Sequence, residues 1–215
     1  PGSDHQLAFL TALCACPLGF DQVRVLETLL DAGADEAGLP GLVVDTDLRW
    51  TVLTALVAAG AEGLERIDAE LAADDTAGGA RRAATARAAR PTVAAKEEAE
   101  TLLLATGTEA PSNAIVRATL LGVDLPGQEH LLSGLCERYV EDIAALWAAR
   151  PGDLAQTVAE GLFPSWAVDP ETVRRFEEVI ADESRPAAWR RILAEQNADM
   201  TRALAARAVD AAEAG

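Results

Sequence analysis

The sequence predicts an all-α protein, and three observations carry that expectation. Half of its 215 residues are hydrophobic, much of that fraction is Ala, and only 4% are aromatic. A chain built from Ala, Leu, Glu and Arg favours helix, because these side chains lose little freedom on a helical backbone. No segment alternates with period two, and the one β-like run, Leu42-Val43-Val44, is too short to found a sheet. Apolar residues recur instead at three- and four-residue spacing, in segments opened by Ser, Thr or Asp and closed by Gly or Pro.

Taken in order, Asp4 to Ala15 forms a first helix with Leu7, Leu10 and Cys14 on one stripe and Ser3 or Asp4 as N-cap; Pro17 and Gly19 break it. Asp21 caps a second helix that turns Val23, Leu26 and Leu30 inward and ends at Gly33. Asp45 or Asp47 opens a third, with Leu48, Val52, Ala55, Leu56 and Ala59 on its apolar face and Gly60 as the residue that closes it. Leu64, Ile67 and Leu71 mark a short partner helix to Ala73, and an Arg-rich helix follows from Thr76 to Ala89, stopped by Arg90-Pro91. Thr92 starts a helix with Lys96-Glu97-Glu98 on its wet side and Leu102 to Leu104 at its end; Ser112 to Leu121 is the next. A longer periodic stretch carries Leu132, Leu135, Tyr139, Ile143 and Leu146, with a bend near Ser133-Gly134, and Arg150-Pro151 ends it. Asp153 to Leu162 is a short helix. Asp169-Pro170-Glu171 reads as a cap followed by Pro at the first helical position, opening a helix with Val173, Phe176 and Ile180. Arg185-Pro186 separates it from a last helix with Trp189, Leu193, Gln196, Met200 and Leu204 on one side, fraying from Ala205 onward.

Some ten helices in consecutive pairs, joined by short loops, predict stacked α-α hairpins: a HEAT- or armadillo-like right-handed superhelical array that buries a continuous core and leaves a concave surface. No tetratricopeptide or ankyrin period is visible, so any repeat is degenerate. The length suits one helical domain over residues 1–215, with a possible division near 107–111.

Eighteen Lys and Arg against 35 Asp and Glu leave a net charge of −17. Such a surface repels phosphate backbones and anionic membranes, which excludes nucleic-acid and membrane partners. No run approaches the roughly 20 apolar residues of a membrane span, and no secretory leader is present. Cys14, Cys16 and Cys136 are an odd set without a leader, which reads as reduced thiols in a cytoplasmic protein. Pro1 in place of Met reads as a chain cut from something longer.

Catalytic chemistry is hard to find. Only two histidines occur, His5 and His130, and each reads as a surface side chain. The H-E-x-x-H pattern of zinc proteases is absent, Gly78-Gly79 lacks the frame of a phosphate loop, and Asp74-Asp75 and Glu97-Glu98 are adjacent pairs that diverge on a helix. These residues offer neither a catalytic set nor a metal or cofactor site. One feature stands out: Arg81, Arg82, Arg87 and Arg90 gather positive charge on one helix of a very acidic chain. They either pair with nearby carboxylates or offer guanidinium forks to an anion such as a peptide carboxylate.

The stretch Asp45-Thr46-Asp47-Leu48-Arg49-Trp50-Thr51, continued by Leu53 to Gly60, Glu70 to Thr76, Ala88-Ala89-Arg90-Pro91 and Lys96, resembles the C-terminal region of actinobacterial aminopeptidase N, a zinc metallo-aminopeptidase family of the gluzincin type. Gly161-Leu162-Phe163-Pro164-Ser165 and Arg202 to Arg207 resemble it too, and the likeness runs from Ser3 across nearly the whole chain. The resemblance implies a HEAT-like C-terminal domain that closes over the catalytic domain of the same parent chain and bounds a chamber for peptide substrates. It implies that the zinc, its ligands and the general base lie upstream of these residues. It also suggests Arg81, Arg82 or Arg87 as contacts for a peptide C-terminus. The competing reading is a free-standing helical-repeat adaptor binding a protein along its concave face. A helical DNA-binding regulator is disfavoured, because the first fifty residues hold only Arg24 and Arg49 as cations.

Overall fold

The computed structural model describes residues 3–150 and 152–213; Pro1 and Pro151, on which two of the expectations above fall, lie outside the described residues. Among these residues the chain forms eleven α-helices and two short 3-10 turns, with no strand. The helices are α1 (Asp4–Cys14), α2 (Phe20–Asp31), α3 (Thr46–Ala58), α4 (Leu64–Ala73), α5 (Ala77–Ala89), α6 (Val93–Leu104), α7 (Asn113–Val123), α8 (Ser133–Ala149), α9 (Asp153–Gly161), α10 (Pro170–Ala181) and α11 (Ala187–Glu213). They fall into two compact units. The first comprises the chain through Leu103 together with Pro111–Leu132, and the second comprises Leu104–Ala110 together with the chain from Ser133 onward.

Local chemistry sets the helix starts. Side-chain oxygens of Ser3, Asp45, Thr76, Ser112 and Asp169 each accept a backbone N–H of the first turn they precede. The second helix departs from expectation: Gly19 is its N-cap, and Asp21 lies inside the first turn. At the end of α3, Gly60 takes φ +76°, Ala61 N–H reaches Leu56 O at 2.9 Å and Gly60 N–H reaches Val57 O at 2.9 Å. That pair of bonds closes the helix in the Schellman manner, which needs a residue free to enter the left-handed region.

Within the first unit α2 packs on α3 and α4 on α5, while α1, α3, α5 and α7 form a continuous row. This is how stacked hairpins share a core. Leu26, Leu29, Leu48, Trp50, Val52, Leu53, Leu56 and Ile67 fill it, and the Ala side chains of α5 allow its neighbours to come close. Contact is tightest between α5 and α7, where a Cβ on Gly122 would lie 2.2 Å from the Thr85 carbonyl oxygen.

In the second unit α8 packs on α9, α9 on α11 and α10 on α11. Tyr139 anchors this core: its hydroxyl donates to Ala159 O at 2.7 Å, and its ring meets Phe163 and Phe176 edge-on at 5.9 and 5.7 Å. Asp169 holds the start of α10 through Oδ1, which accepts from Glu171 N–H and Thr172 N–H at 2.9 Å, and Oδ2, which accepts from the Thr172 hydroxyl at 2.5 Å. The Thr172 hydroxyl and these N–H groups hold the Asp169 carboxyl below its ordinary range. Asp169→Ala is expected to cost about 1 kcal/mol at neutral pH. Because the folded-state pKa is depressed, the carboxylate's contribution is present above the ordinary carboxylate range and is lost as pH falls through the folded value. Urea melts of wild type and variant should therefore converge as the pH is taken from about 7 to about 3.

Four details of the sequence reading need correction. Leu7 and Ala59 are exposed, not inward-facing: α1 meets the first unit's core beyond Leu7, through Leu10, Leu13 and Cys14, and Ala59 is the C-cap at the end of α3. No bend interrupts a long helix at Ser133-Gly134; a 3-10 turn, Glu129–Leu131, comes first and α8 begins at Ser133. The last helix does not fray at Ala205 but continues to Glu213, with Arg207 donating back to Val168 O at 2.9 Å. Lys96, expected in water, is only 2% exposed.

Candidate functional site

The Arg-rich helix α5 packs on α3, α4 and α7, and the polar groups around its first turns come from the Asp45–Thr51 and Glu70–Thr76 segments. Arg49 faces Glu70 with both groups parallel: Nε to Oε1 and Nη2 to Oε2 are each 2.7 Å, and Nη1 reaches Leu30 O at 3.3 Å. This two-pronged pair ties α3 to α4 with the Glu70 side chain only 8% exposed. One residue on, Trp50 is buried and its indole N–H donates to Asp74 Oδ2 at 2.9 Å. Asp74 also accepts from the Thr76 hydroxyl at 2.8 Å and pairs with Arg82 at 3.3 Å. The Thr76 hydroxyl above all, with Trp50 and the Arg82 charge, holds the Asp74 carboxyl below its ordinary range. Gly79 is required beside it, since a Cβ there would sit 2.0 Å from Asp74 O.

The arginines divide. Arg82 pairs with Asp47 and Asp74, Arg87 with Asp68 at 2.7 Å, and Arg90 with Glu98 while its Nε–H caps Arg87 O at 2.9 Å. Arg81 is exposed, and no ion-pair partner reaches it among the described residues. Of the three candidate anion contacts, Arg82 and Arg87 are thus already neutralised and Arg81 is available.

A second polar constellation, absent from the sequence reading, lies at the C-terminal ends of α3, α5 and α7. The Lys96 ammonium donates to Ala88 O at 2.8 Å and to Gly122 O at 3.1 Å. Both carbonyls lack their ordinary helical partner. Residue 126, four on from Gly122, is Pro and has no N–H, and Thr92, four on from Ala88, bonds Arg90 O instead. Burial lowers the Lys96 pKa to about 8, with nearby Asp124 raising it and Arg90 lowering it further. Gln128, equally hidden, donates its amide N–H to Ala58 O and Ala89 O at 3.0 Å. The one legible signal for this pair was the Arg90-Pro91 and Leu125-Pro126 breaks, which leave helix-end carbonyls in want of donors.

The remaining reactive side chains stand apart. His5 and His130 are exposed. Burial lifts the Cys14 thiol to about 11, and Cys14, Cys16 and Cys136 are all free thiols. No group of three or more His, Cys, Asp and Glu side chains among the described residues is arranged to hold a metal ion, and no helix among them is long and apolar enough to cross a membrane.

Fold and polar network together define a helical-repeat domain whose buried polar groups serve helix ends and helix pairs. Residues 1–202 match the ERAP1-like C-terminal domain family, and the chain belongs to that family. It is also 41% identical over 213 residues to aminopeptidase N of Streptomyces lividans, an alignment that covers 99% of this chain and 24% of that protein. The chain thus spans about a quarter of the curated relative it matches.

Proposed function

We propose that this chain serves as the non-catalytic C-terminal domain of an aminopeptidase N-type enzyme, closing over the catalytic domain of the same parent protein and shaping the chamber that holds peptides. The observation that carries the reading is an identity of 41% sustained along 99% of the chain, joined to membership of a family described as a C-terminal domain. The parent removes N-terminal residues from peptides, its zinc belongs to the catalytic domain, and the three free thiols suit a reducing cytoplasm. The domain's contribution is then positional: its helices hold the distal part of a peptide while the reacting end lies elsewhere, so its binding energy acts on long substrates and not on short ones.

Arg81 is the favoured contact for a peptide carboxylate, because Arg82 and Arg87 would first have to leave Asp47, Asp74 and Asp68. In the full-length enzyme, Arg81→Ala should raise KM for a peptide of about ten residues by roughly tenfold, the loss of one charge-assisted hydrogen bond. A single-residue chromogenic substrate should be turned over as before. Equal changes on both substrates, or none on the peptide, would remove Arg81 from this role.

A further inference from the structure

The helix α1 stands at the end of the row α1, α3, α5, α7, and its side chains do not suit an end. From Leu7 to Cys16 there is no charged residue, in a protein whose net charge is −17. Leu10, Leu13 and Cys14 turn towards the core that α1 shares with α3. Helical spacing puts Ala8, Thr11 and Ala12 on the opposite face, with Leu7 and Phe9 on its two flanks. All five are exposed, Phe9 to 76%. A helix made for the surface looks different: α10 buries Val173, Phe176 and Val179 and turns Glu171, Arg174, Glu177 and Glu178 to solvent. A helix apolar on every side is ordinarily an interior one. The next helix of the row shows this. Beyond Arg49, α3 is as apolar as α1, but it has α1 on one side and α5 on the other, and Val52, Leu53, Leu56 and Val57 are buried. In α1 Leu10 alone is buried.

We propose that α1 is an interior helix of a longer row, its outer face covered by an amphipathic helix from the segment that precedes this chain in its parent. Stacked helical arrays close their true ends with a polar outer face, and α1 has none. The chain spans about a quarter of the Streptomyces lividans protein, so a long stretch of a parent of that kind remains to supply the cover. The row also runs in chain order, which assigns the place beyond α1 to what comes before it. A second copy suits the face poorly, because it would bring a charge of −17 against −17. Leu7 and Phe9 form ridges with the small Ala8 and Ala12 between them, so the covering helix should present Leu- or Phe-sized residues at three- and four-residue spacing. The inference rests on the reading that this chain is part of a larger aminopeptidase, and does not depend on the peptide chamber.

The test compares the full-length parent with the 215-residue chain by hydroxyl-radical footprinting. Phe9 should be modified at least about fivefold more slowly in the parent, as a side chain inside a helix contact. Phe176, buried in this fold, should be protected in both and so shows that both are folded. With p-benzoylphenylalanine in place of Phe9, the parent should cross-link internally within roughly 45 residues upstream of this chain, the length of one helical hairpin. Phe9→Asp should lower the parent's Tm by roughly 5 °C or more. The same change should leave the 215-residue chain within about 2 °C of wild type. Equal reactivity of Phe9 in the two proteins, or cross-links to a more distant part of the parent, would overturn the inference. Protection of Phe9 that grows with the concentration of the 215-residue chain would overturn it too, by giving the face to a second copy. A protected Phe9 in a parent whose peptide turnover ignores Arg81→Ala would count against the chamber alone; an exposed Phe9 with the Arg81 effect intact would count against this inference alone.

Discussion

Gly122→Ala should destabilise the first unit by about 3 kcal/mol, the upper part of the range for overpacking a tight core. The new Cβ would meet Thr85 O at 2.2 Å, with Ala88 Cβ and Ala89 N each at 3.0 Å. Two of those three atoms are helix backbone, which cannot swing aside as a side-chain tip can. The Thr85 hydroxyl already binds Ala118 O at 2.7 Å across the same seam, and Gly122 O holds the Lys96 ammonium, so any retreat of α7 from α5 breaks polar contacts as well. A fall in Tm of roughly 6–12 °C is the expected reading by differential scanning calorimetry. Gly134→Ala is the matched control: its Cβ meets only the mobile end of Arg138, at 3.0 Å, and the helix gains propensity, so stability should hold or rise by about 0.5 kcal/mol. Similar losses for both variants would mean that α5 and α7 do not approach as described.

Lys96→Ala carries the second large effect. Truncation strands the carbonyls of Ala88 and Gly122 inside the fold, at about 1–3 kcal/mol for each buried acceptor left unpaired, and a net loss of about 2–4 kcal/mol is expected. The ammonium's own burial opposes this, but its position against the negative ends of α5 and α7 favours the cation. Lys96→Met, which retains the volume, should cost less than Lys96→Ala. The wild type adds a distinctive pH dependence. Its folded pKa of about 8 lies below the ordinary lysine value of 10.5, so between these limits the unfolded chain binds more protons than the folded one. Stability relative to Lys96→Met should therefore rise as the pH goes from about 8 to about 10, and level off below 8, where the charge is present in both states. A difference that shrinks with rising pH would contradict the burial of the charge.

These two residues also mark where sequence reasoning reached its limit. Helix starts were legible because their causes are local: Asp45, Thr76, Ser112 and Asp169 each bond an N–H two or three residues away. The face Leu135, Tyr139, Ile143 and Leu146 was legible for the same reason, since one period orders four buried side chains. Lys96 was not, because a Lys-Glu-Glu run looks wet from any local window. Its burial depends on carbonyls from residues 88 and 122, which only the packing of α5 against α7 brings together. Leu7 misled in the opposite sense: its spacing fits the stripe, yet α1 meets the core only from Leu10 onward, with Leu13 and Cys14, and leaves Leu7 and Phe9 in solvent. Charge clustering on α5 was visible in the sequence, whereas its division into paired Arg82, Arg87 and Arg90 and exposed Arg81 depends on where Asp47, Asp68, Asp74 and Glu98 are placed. Three of the residues that resemble the aminopeptidase family join helices: Arg49 to Glu70, Trp50 to Asp74, Lys96 to two helix ends. They record how the domain is held together, which is why they named kinship without naming a reaction.

The proposed role on peptides, as part of an aminopeptidase, has a direct test. The direct measurement removes from Streptomyces lividans aminopeptidase N the quarter that this chain matches, then supplies the 215-residue chain in trans while turnover of a long peptide and of a single-residue chromogenic substrate is followed. The chain is expected to bind the truncated enzyme and to change kcat/KM for the peptide by a far larger factor than for the chromogenic substrate. Binding without any peptide-selective change, or no binding at all, would contradict it.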